Sequence, residues 1–342
     1  SLTAELEGAV ILPVSELNRM RRALVTEIGG LHTAAAKTPT ATLTTLLAEA
    51  AAAHLPDKPV EPALTVLCRS VEQLKACAAG GVALACLDLE DIRGYADAVA
   101  WVRAESAMQI YLGTPRIQKS GEQGFFKLIE RANPHGVLVR NPGGIGYFTS
   151  LGIPTAGDFS LNTANPLTAH WLIRQGLGRL TISYDLNIEQ VLDLLRAAPP
   201  EWFELTIHQH MPMFHMEHCV FAAFMSNGST FLDCGRPCET HKVKLRDRVG
   251  MEHPLKADVG CRNTLFNAVA QTGARYYRDL HAAGLRRYRI ELLEQNPAEV
   301  SLILRAYREL LDGKTQGDDL WRNLHAQSRL GVTRGTLHSL SD

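Results

Sequence analysis

Short apolar runs alternate with amphipathic segments along most of this chain. Segments with apolar residues at helical spacing follow nearly all of the runs. Strands that alternate with helices are typical of a parallel sheet, and eight such units predict a closed (β/α)8 barrel, a TIM-like α/β fold, over residues 61–313. The eight runs are ALTVLC (63–68), ALACLDL (83–89), MQIYLG (108–113), GVLVRN (136–141), TAGDFSL (155–161), RLTISYD (179–185), FELTIHQ (203–209) and RYRIELL (287–293).

Local signals support these units. Ser70 with Gln73 and Asn187 with Gln190 have the spacing of capping boxes at helix starts. An open doubly wound sheet is the alternative architecture, but no G-x-G-x-x-G follows the first run, and PGGIGY at 142–147 lacks that spacing. The pattern therefore favours the closed barrel.

The two ends of the chain differ from the barrel region. Residues 1–60 predict a helical appendage, with Ser15 as N-cap, and a linker marked by Lys58, Pro59 and Pro62. Residues 314–342 predict a polar tail with a short helix at DDLWRNLHAQS. Because no initiator Met opens the chain, we expect it to be the later part of a longer protein.

Polar residues stand at the ends of the predicted strands, where a barrel places its active site. We predict that the site residues line one mouth. Guanidinium forks there suit carboxylates or phosphates. The alternative for any one of these residues is that it has no role in the site and is polar only because loops are exposed to solvent. The candidate catalytic residues are Arg69, Arg116, Arg140, Asp158, Asp185 and His208, with Asp88 and Glu291 at equivalent positions.

A cysteine-rich insertion at 211–263 falls between the seventh and eighth strands. Its four cysteines lie among polar and turn residues, whereas Cys68, Cys77 and Cys86 lie in apolar runs and are predicted core residues. Thiolates at this density suit a transition metal or an iron–sulfur cluster, but no pair of C-x-x-C knuckles is present. A disulfide is the other option. The predicted ligands are Cys219, Cys234, Cys238 and Cys261.

Composition narrows the location and the partners. The 342 residues are 46% hydrophobic with a net charge of −1, so nothing global indicates nucleic acid. Residues 234–263 carry seven basic and four acidic side chains, a modest basic patch. No run reaches the length of a membrane span and no signal peptide opens the chain. We predict a cytoplasmic protein with reduced thiols and no membrane partner.

Several segments resemble peptidase family U32, the collagenase-like group. The clearest are EHCVFAAFMSNG, DCGRPCETHKVKLRDR and HPLKADVGCRNTLFN, and GTPRI, GDFSLNTAN and YDLN are also similar. The likeness covers about residues 63–313. LPVSELNRMRRAL resembles the segment that follows an inserted domain in the longest members. The resemblance implies that this chain is the C-terminal barrel of a long member, with its N-terminal barrel or a homologous subunit as partner.

The resemblance also implies a chemistry. Better understood relatives hydroxylate a ubiquinone precursor, a tRNA uridine or a ribosomal RNA cytidine without molecular oxygen. Several hold a [4Fe-4S] cluster on four cysteines, which correspond here to Cys219, Cys234, Cys238 and Cys261, with prephenate as hydroxyl donor in some. Many members have another cysteine seven residues after the first, where this chain has Ser226. Zinc therefore stays open as an alternative to the cluster.

Three hypotheses from different classes follow. The first is an iron–sulfur enzyme that hydroxylates an RNA base or a related aromatic substrate. The second is a metal-dependent peptidase or hydrolase that uses His208 and His210 with Asp158 or Asp185, although the sequence lacks HExxH and GxSxG. The third is a non-catalytic, zinc-stapled RNA-binding module. Brown colour would favour the iron–sulfur enzyme. Peptide cleavage that is lost on chelation would favour the hydrolase, and colourless protein with one zinc would favour the binding module.

Overall fold

The fold is described from a computed structural model over residues 13–31, 41–53, 61–228, 230–327, 332–333 and 335–337. The chain divides into two compact units, Ser1–Thr45 and Leu46–Asp342. The predicted linker residues Lys58 and Pro59 lie outside the described residues. No helix in the described ranges is long and apolar enough to cross a lipid bilayer.

Eight parallel strands close on themselves. The sheet order runs from β1 through β7, and β11 pairs with both β7 and β1, for example through Ala63 and Arg287. The predicted (β/α)8 barrel is therefore confirmed. The strands are β1 (Ala63–Cys68), β2 (Leu84–Leu87), β3 (Gln109–Gly113), β4 (Gly136–Val139), β5 (Thr155–Gly157), β6 (Arg179–Thr181), β7 (Phe203–Met216), β8 (Val243–Arg246), β9 (Glu252–Ala257), β10 (Asn263–Thr272), β11 (Arg287–Glu291) and β12 (Val332–Thr333).

Helices connect the barrel strands and cover the outside of the sheet. Asn187 and Gln190 form the predicted capping box. At the other predicted box, Ser70 accepts from the backbone N–H of Gln73, but the Gln73 side chain accepts from the backbone N–H of Arg69 instead of that of Ser70, so only half of the box forms. The helices are α1 (Val14–Leu31), α2 (Leu43–Ala52), α3 (Val71–Ala79), α4 (Tyr95–Glu105), α5 (Gly124–Arg131), α6 (Pro142–Ser150), α7 (Pro166–Arg174), α8 (Ile188–Ala197), α9 (Val220–Met225), α10 (Tyr277–Ala282), α11 (Pro297–Leu311) and α12 (Gly317–Gln327).

The flanking segments differ in part from the prediction. Helix α1 begins at Val14, so Ser15 lies inside the helix and is not its N-cap. Helix α2 is a second helix within the predicted N-terminal appendage. The tail helix appears where it was expected, as α12. The boundary between the two units falls at residue 45, ahead of the predicted domain boundary at residue 60.

The insertion grows out of the barrel as a continuation of a barrel strand. Strand β7 was predicted to end at residue 209 but extends to Met216 and pairs antiparallel with β10. Strands β9 and β8 add to β10 in turn. A small apolar cluster centred on Phe221, Leu255 and Leu265 stabilises this subdomain. The insertion thus extends the barrel sheet from the carboxyl end of β7 through β10, β9 and β8.

Candidate active site at the barrel mouth

A cavity of about 400 Å³ lies at the carboxyl ends of the barrel strands. The loops after β1, β2, β3, β4, β5 and β11 form its floor and walls, and the insertion forms its roof. The roof residues that line the cavity are Pro212, His215, Lys242, Lys256, Ala257, Asp258, Val259, Thr264 and Phe266. The predicted arginines Arg69, Arg116 and Arg140 all line this one cavity.

The floor of the cavity is a closed ring of alternating charges. Three guanidiniums and three carboxylates follow one another around the mouth, each in contact with two neighbours. The contacts are Arg289 Nη1 to Asp158 Oδ1 (2.6 Å), Asp158 Oδ2 to Arg140 Nε (2.8 Å), Arg140 Nη1 to Asp88 Oδ1 (2.7 Å), Asp88 to Arg69, Arg69 Nη2 to Glu291 Oε2 (3.5 Å) and Glu291 Oε1 to Arg289 Nη1 (3.5 Å).

The ring favours the charged forms of its two aspartates. Burial alone opposes ionisation of Asp158, but Arg289 and Arg140 outweigh it and hold the pKa of this carboxyl below its usual value. Arg140 and Arg69 do the same for the pKa of Asp88. Glu204 lies deeper in the barrel and accepts from Arg289 Nε at 2.7 Å. The barrel interior is therefore ionic at this level, where aliphatic side chains are more usual.

Arg116 stands apart from the ring. Its guanidinium lies 4.9 Å from the centroid of the Phe159 ring, which stacks on Tyr184 at 4.0 Å. Among the described residues no carboxylate pairs with Arg116. Burial and the nearby Arg140 lower its pKa. Arg116 thus offers the cavity a guanidinium that remains free to bind an anion beside an aromatic stack.

His215 is a neutral imidazole in the roof. Its Nδ1 is 2.9 Å from Thr264 Oγ1, and its Nε2 has no hydrogen-bond partner among the described residues. Burial, with Arg116 and Arg262, lowers its pKa to about 4. Asp258 Oδ2 is 3.9 Å from Nε2, and burial raises the pKa of Asp258. His215 was not among the predicted site residues. Its position on the strand that leaves the mouth was the signal that could have identified it.

Three of the predicted residues do not line the cavity. Asp185 is exposed in a turn after β6 and does not line it. His208 is buried, and its Nδ1 lies 3.2 Å from the hydroxyl of Tyr307 on the outer helix α11. Asp158 is buried beneath the cavity and held by the two arginines. The side chains needed for a metal site of His208, His210 and Asp158 or Asp185 are therefore not assembled.

The four cysteines of the insertion share one neighbourhood. All are free thiols of intermediate exposure. Burial raises the pKa of Cys238 to about 11, with further contributions from Cys219 and Cys261. Burial, Cys219 and Cys234 raise the pKa of Cys261. Cys219 and Cys238 also pack against the same apolar cluster, that of Phe221, Leu255 and Leu265.

The same four thiols are candidate ligands for the metal centre that the family resemblance implies. Four soft donors in one neighbourhood fit a thiolate-bound centre in type and number. Cys261 and Arg236 also have left-handed backbone, at φ 58° and 51°, as loops around functional sites often do. Side chains of three or more His, Cys, Asp or Glu are nowhere disposed to hold one ion in the described part of the chain. The donor chemistry fits, and the thiols would have to close in on the group.

Ion pairs fasten the roof to the barrel loops. Arg262, next to Cys261, is fully buried and donates to Glu217 at 2.8 Å and to Glu122 at 2.9 Å. Glu122 belongs to the loop after β3, so this contact joins insertion and barrel. Lys256 reaches Glu294 at 3.3 Å, after β11. Buried and half-buried ion pairs therefore join the cysteine-bearing insertion to the barrel loops that form the cavity walls.

Fold and site together define the class: a TIM-barrel protein whose mouth is roofed by a cysteine-bearing insertion. The chain belongs to peptidase family U32, whose family model matches residues 117–338. No curated protein matches the chain.

Two solved structures are similar in fold. One is dihydrodipicolinate synthase from Bacillus clausii, with 12% identity over 81% of this chain and 92% of that chain and a TM-score of 0.38. The other is a glycerol uptake operon antiterminator-related protein from Thermotoga maritima, with 12% identity over 43% of this chain and 83% of that chain and a TM-score of 0.33. The fold assignment rests on the strand order of the chain itself.

Proposed function

We propose that this chain is an enzyme of the U32 family that hydroxylates an RNA base, or a related aromatic substrate, without molecular oxygen. The observation that carries the proposal is that the insertion with the four cysteines forms the roof of the cavity whose floor is the charged ring. None of the four cysteines lines the cavity itself, but the lining residue Val259 lies two positions before Cys261, so a centre held by these thiols would lie in the roof near the cavity. Iron–sulfur ligation by Cys219, Cys234, Cys238 and Cys261 is part of this proposal, with zinc as the alternative metal.

The lining of the cavity suits a planar, anion-bearing molecule. Arg116 offers its guanidinium beside Phe159, and Arg69 lies 4.8 Å from the centroid of the Phe266 ring. Guanidiniums bind carboxylates and phosphates, and aromatic faces stack on planar rings. Both a carboxylate-bearing hydroxyl donor such as prephenate and a nucleotide satisfy these requirements. The volume of about 400 Å³ is in the range of ordinary small-molecule sites.

The proposed reaction needs a donor because no oxygen molecule takes part. A C–H bond of the acceptor becomes C–OH, while a C–O bond of the donor breaks and the donor gains the hydrogen. The two-electron oxidation of the acceptor is matched by the two-electron reduction of the donor. An iron–sulfur cluster, when bound, supplies electron transfer. Arg116 would orient the donor carboxylate, and His215, neutral at pH 7, would hold or move a proton in the roof.

The partner proposed for this chain is the N-terminal barrel of the same long protein or a homologous subunit. Support comes from large apolar side chains that the insertion leaves in solvent. Phe224 is 83% exposed, Leu232 81%, and Phe214 and Phe231 are also exposed. Large apolar groups left exposed in this way are typical of surfaces that meet another protein.

The test is an anaerobic assay with prephenate and RNA from cells that lack this protein. The readout is mass spectrometry of the nucleosides. We expect one nucleoside to gain a single oxygen atom when both protein and prephenate are present, and Arg116→Gln to reduce the product. If no nucleoside gains oxygen with metal-loaded protein, and an aromatic quinone precursor offered in place of RNA also stays unchanged, the proposed hydroxylation is wrong.

A further inference from the structure

A second cavity, of about 440 Å³, lies at the end of the barrel opposite the mouth. It is formed by the loops that precede β5 and β6 and by residues at the starts of β5, β6 and β11. Parallel strands begin at one end of a barrel and finish at the other, so this cavity is remote from the charged ring and from the insertion. Its polar lining comes from Tyr111, Thr149, Thr155, Arg179 and Arg287.

The charge of this cavity is unbalanced. Arg179 and Arg287 line it, and none of the described lining residues is acidic. Burial lowers the pKa of Arg287, and the charge on Arg179 lowers it further. The carboxylate nearest to Arg179 is that of Glu204, which does not line the cavity. Its Oε2 accepts from Arg289, and its Oε1 lies 3.8 Å from Nε of Arg179 and makes no hydrogen bond within the described residues. Two like charges thus share a half-buried space whose described lining holds no carboxylate, with Glu204 as a partial counter-charge to Arg179, and this excess of positive charge favours an incoming anion.

The side-chain donors in the cavity are the guanidiniums of Arg179 and Arg287 and the hydroxyl of Tyr111. Nε and Nη2 of Arg179 are buried and make no hydrogen bond within the described residues, and Nη1 of Arg287 donates to the carbonyl of Glu201. The backbone N–H groups of Ile153 and Gly178 are already used by the carbonyls of Phe148 and Thr155. The hydroxyl of Thr155 donates to the carbonyl of Gly176. An anion would therefore be bound by guanidinium groups.

An aromatic ring supports one of the two arginines. The guanidinium of Arg179 lies 5.1 Å from the centroid of the Tyr111 ring. The ring itself needs a glycine on the next strand, because a Cβ at Gly136 would lie 2.3 Å from Tyr111 Cζ. Glycine at 136 and tyrosine at 111 together fix the wall against which the guanidinium packs. The arrangement is built by the barrel strands rather than by mobile surface side chains.

We propose that this cavity is a binding site for a small anion that bears a carboxylate or a phosphate, held between Arg179 and Arg287. The site shares no residue with the cavity at the mouth. Because chemistry in such barrels takes place at the carboxyl ends of the strands, the anion bound here is a structural or regulatory ligand and not a substrate.

Calorimetric titration with inorganic phosphate, and separately with malonate, tests the proposal. The titrations use the full chain with Arg116→Gln, so that the guanidinium of the mouth does not contribute. We expect saturable binding of one anion per chain, and the stronger of the two ligands identifies the recognised group. Arg287→Gln added to this background should weaken binding about tenfold or more, because a charge-assisted hydrogen bond is lost. Arg179→Lys, which keeps the charge, should also weaken binding.

Arg174→Gln is the matched control, since Arg174 is exposed at the end of α7 on the same side of the barrel. It should bind the anion as the parent does. Thermal unfolding of each variant establishes that it is folded. Absence of saturable binding for both anions, unchanged binding in folded Arg287→Gln, or an equal loss in Arg174→Gln would each overturn the proposed site.

Discussion

Arg116 is the residue on which recognition at the mouth depends most. Its neighbours Arg69 and Arg140 are held by carboxylates of the ring, whereas Arg116 has only the Phe159 ring beneath it. Replacement by Gln should therefore weaken binding of an anionic substrate about tenfold or more while the free energy of unfolding changes little. Substrate affinity and thermal unfolding, measured on the same preparation, check this.

Arg140→Gln is the contrasting variant. Arg140 is buried and contacts both Asp88 and Asp158, so its loss should lower stability together with affinity. If Arg116→Gln unfolds as readily as Arg140→Gln, Arg116 is a structural residue and not a free anion-binding group.

Asp158 should be essential for stability because it is shared by two arginines. Its side chain is fully buried, and it accepts from Arg140 at 2.8 Å and from Arg289 at 2.6 Å. Asp158→Asn leaves those guanidiniums without a full counter-charge, and breaking a buried pair typically costs about 3–5 kcal/mol. Chemical unfolding measures this loss. Asp185→Asn, at an exposed position, is the control and should change stability by less than about 0.5 kcal/mol.

The buried histidines predict a loss of stability in mild acid. Burial, with a contribution from His210, lowers the pKa of His208 to about 3, and that of His215 is lowered to about 4. An unfolded histidine titrates near pH 6.5, so below that pH the unfolded chain binds more protons than the folded one. The stability contributed by the neutral imidazoles is present above pH 6.5 and is lost as pH falls toward 4.

Urea unfolding at pH 7, 6 and 5 measures this dependence. The midpoint should fall with pH, and His208→Gln should make the fall shallower. A slope that is the same in His208→Gln and the parent would mean that His208 does not remain neutral in the fold.

At the scale of elements, the insertion depends on Arg262. This fully buried side chain joins the segment after Cys261 to Glu122 in the loop after β3. Arg262→Met should cost about 1.5–3 kcal/mol and speed hydrogen exchange in residues 215–263 while most of the barrel is unaffected. Arg246→Gln, which removes an exposed pair with Glu252, is the control and should leave exchange unchanged.

The period of the apolar runs was sufficient to predict the eight barrel strands and their closure, but not the ends of those strands, and it did not predict β8, β9 and β10 of the insertion. β5 and β6 are only three residues long: a 3-10 turn starts after Asp158, and only an isolated bridge at Ile182 follows β6. β7, in contrast, runs seven residues past its predicted end. The extension follows from pairing with β10, a contact between residues far apart in sequence. Local alternation cannot reveal such a pairing.

Only those residues of the candidate site that lie at or just after the ends of barrel strands could be predicted from the sequence. Arg69, Arg116 and Arg140 follow their strands directly, and the barrel brings them together. His208 failed because side chains alternate across a strand, and its ring faces the Tyr307 helix. Arg289 and Glu204 were missed because they lie inside strands, where apolar residues are expected, and each depends on the other for its charge.

The whole molecule combines an ionic barrel floor with a roof that carries four thiols. We propose that these thiols, those of Cys219, Cys234, Cys238 and Cys261, bind one metal centre beside the cavity. Iron, sulfide and zinc content per chain of anaerobically purified protein tests it most directly, in the parent and in the four single Cys→Ser variants. Cys86→Ala, at a buried thiol inside the barrel, is the control.

We expect about four iron and four sulfide ions per chain, and a brown protein solution with the visible absorbance of an iron–sulfur cluster. Each of the four serine variants should reduce this content, and Cys86→Ala should keep it. One zinc per chain with the same dependence on all four cysteines would keep the shared centre and change only the metal. Parent protein that binds neither metal after anaerobic reconstitution, or binding that is indifferent to these four cysteines, would contradict the account.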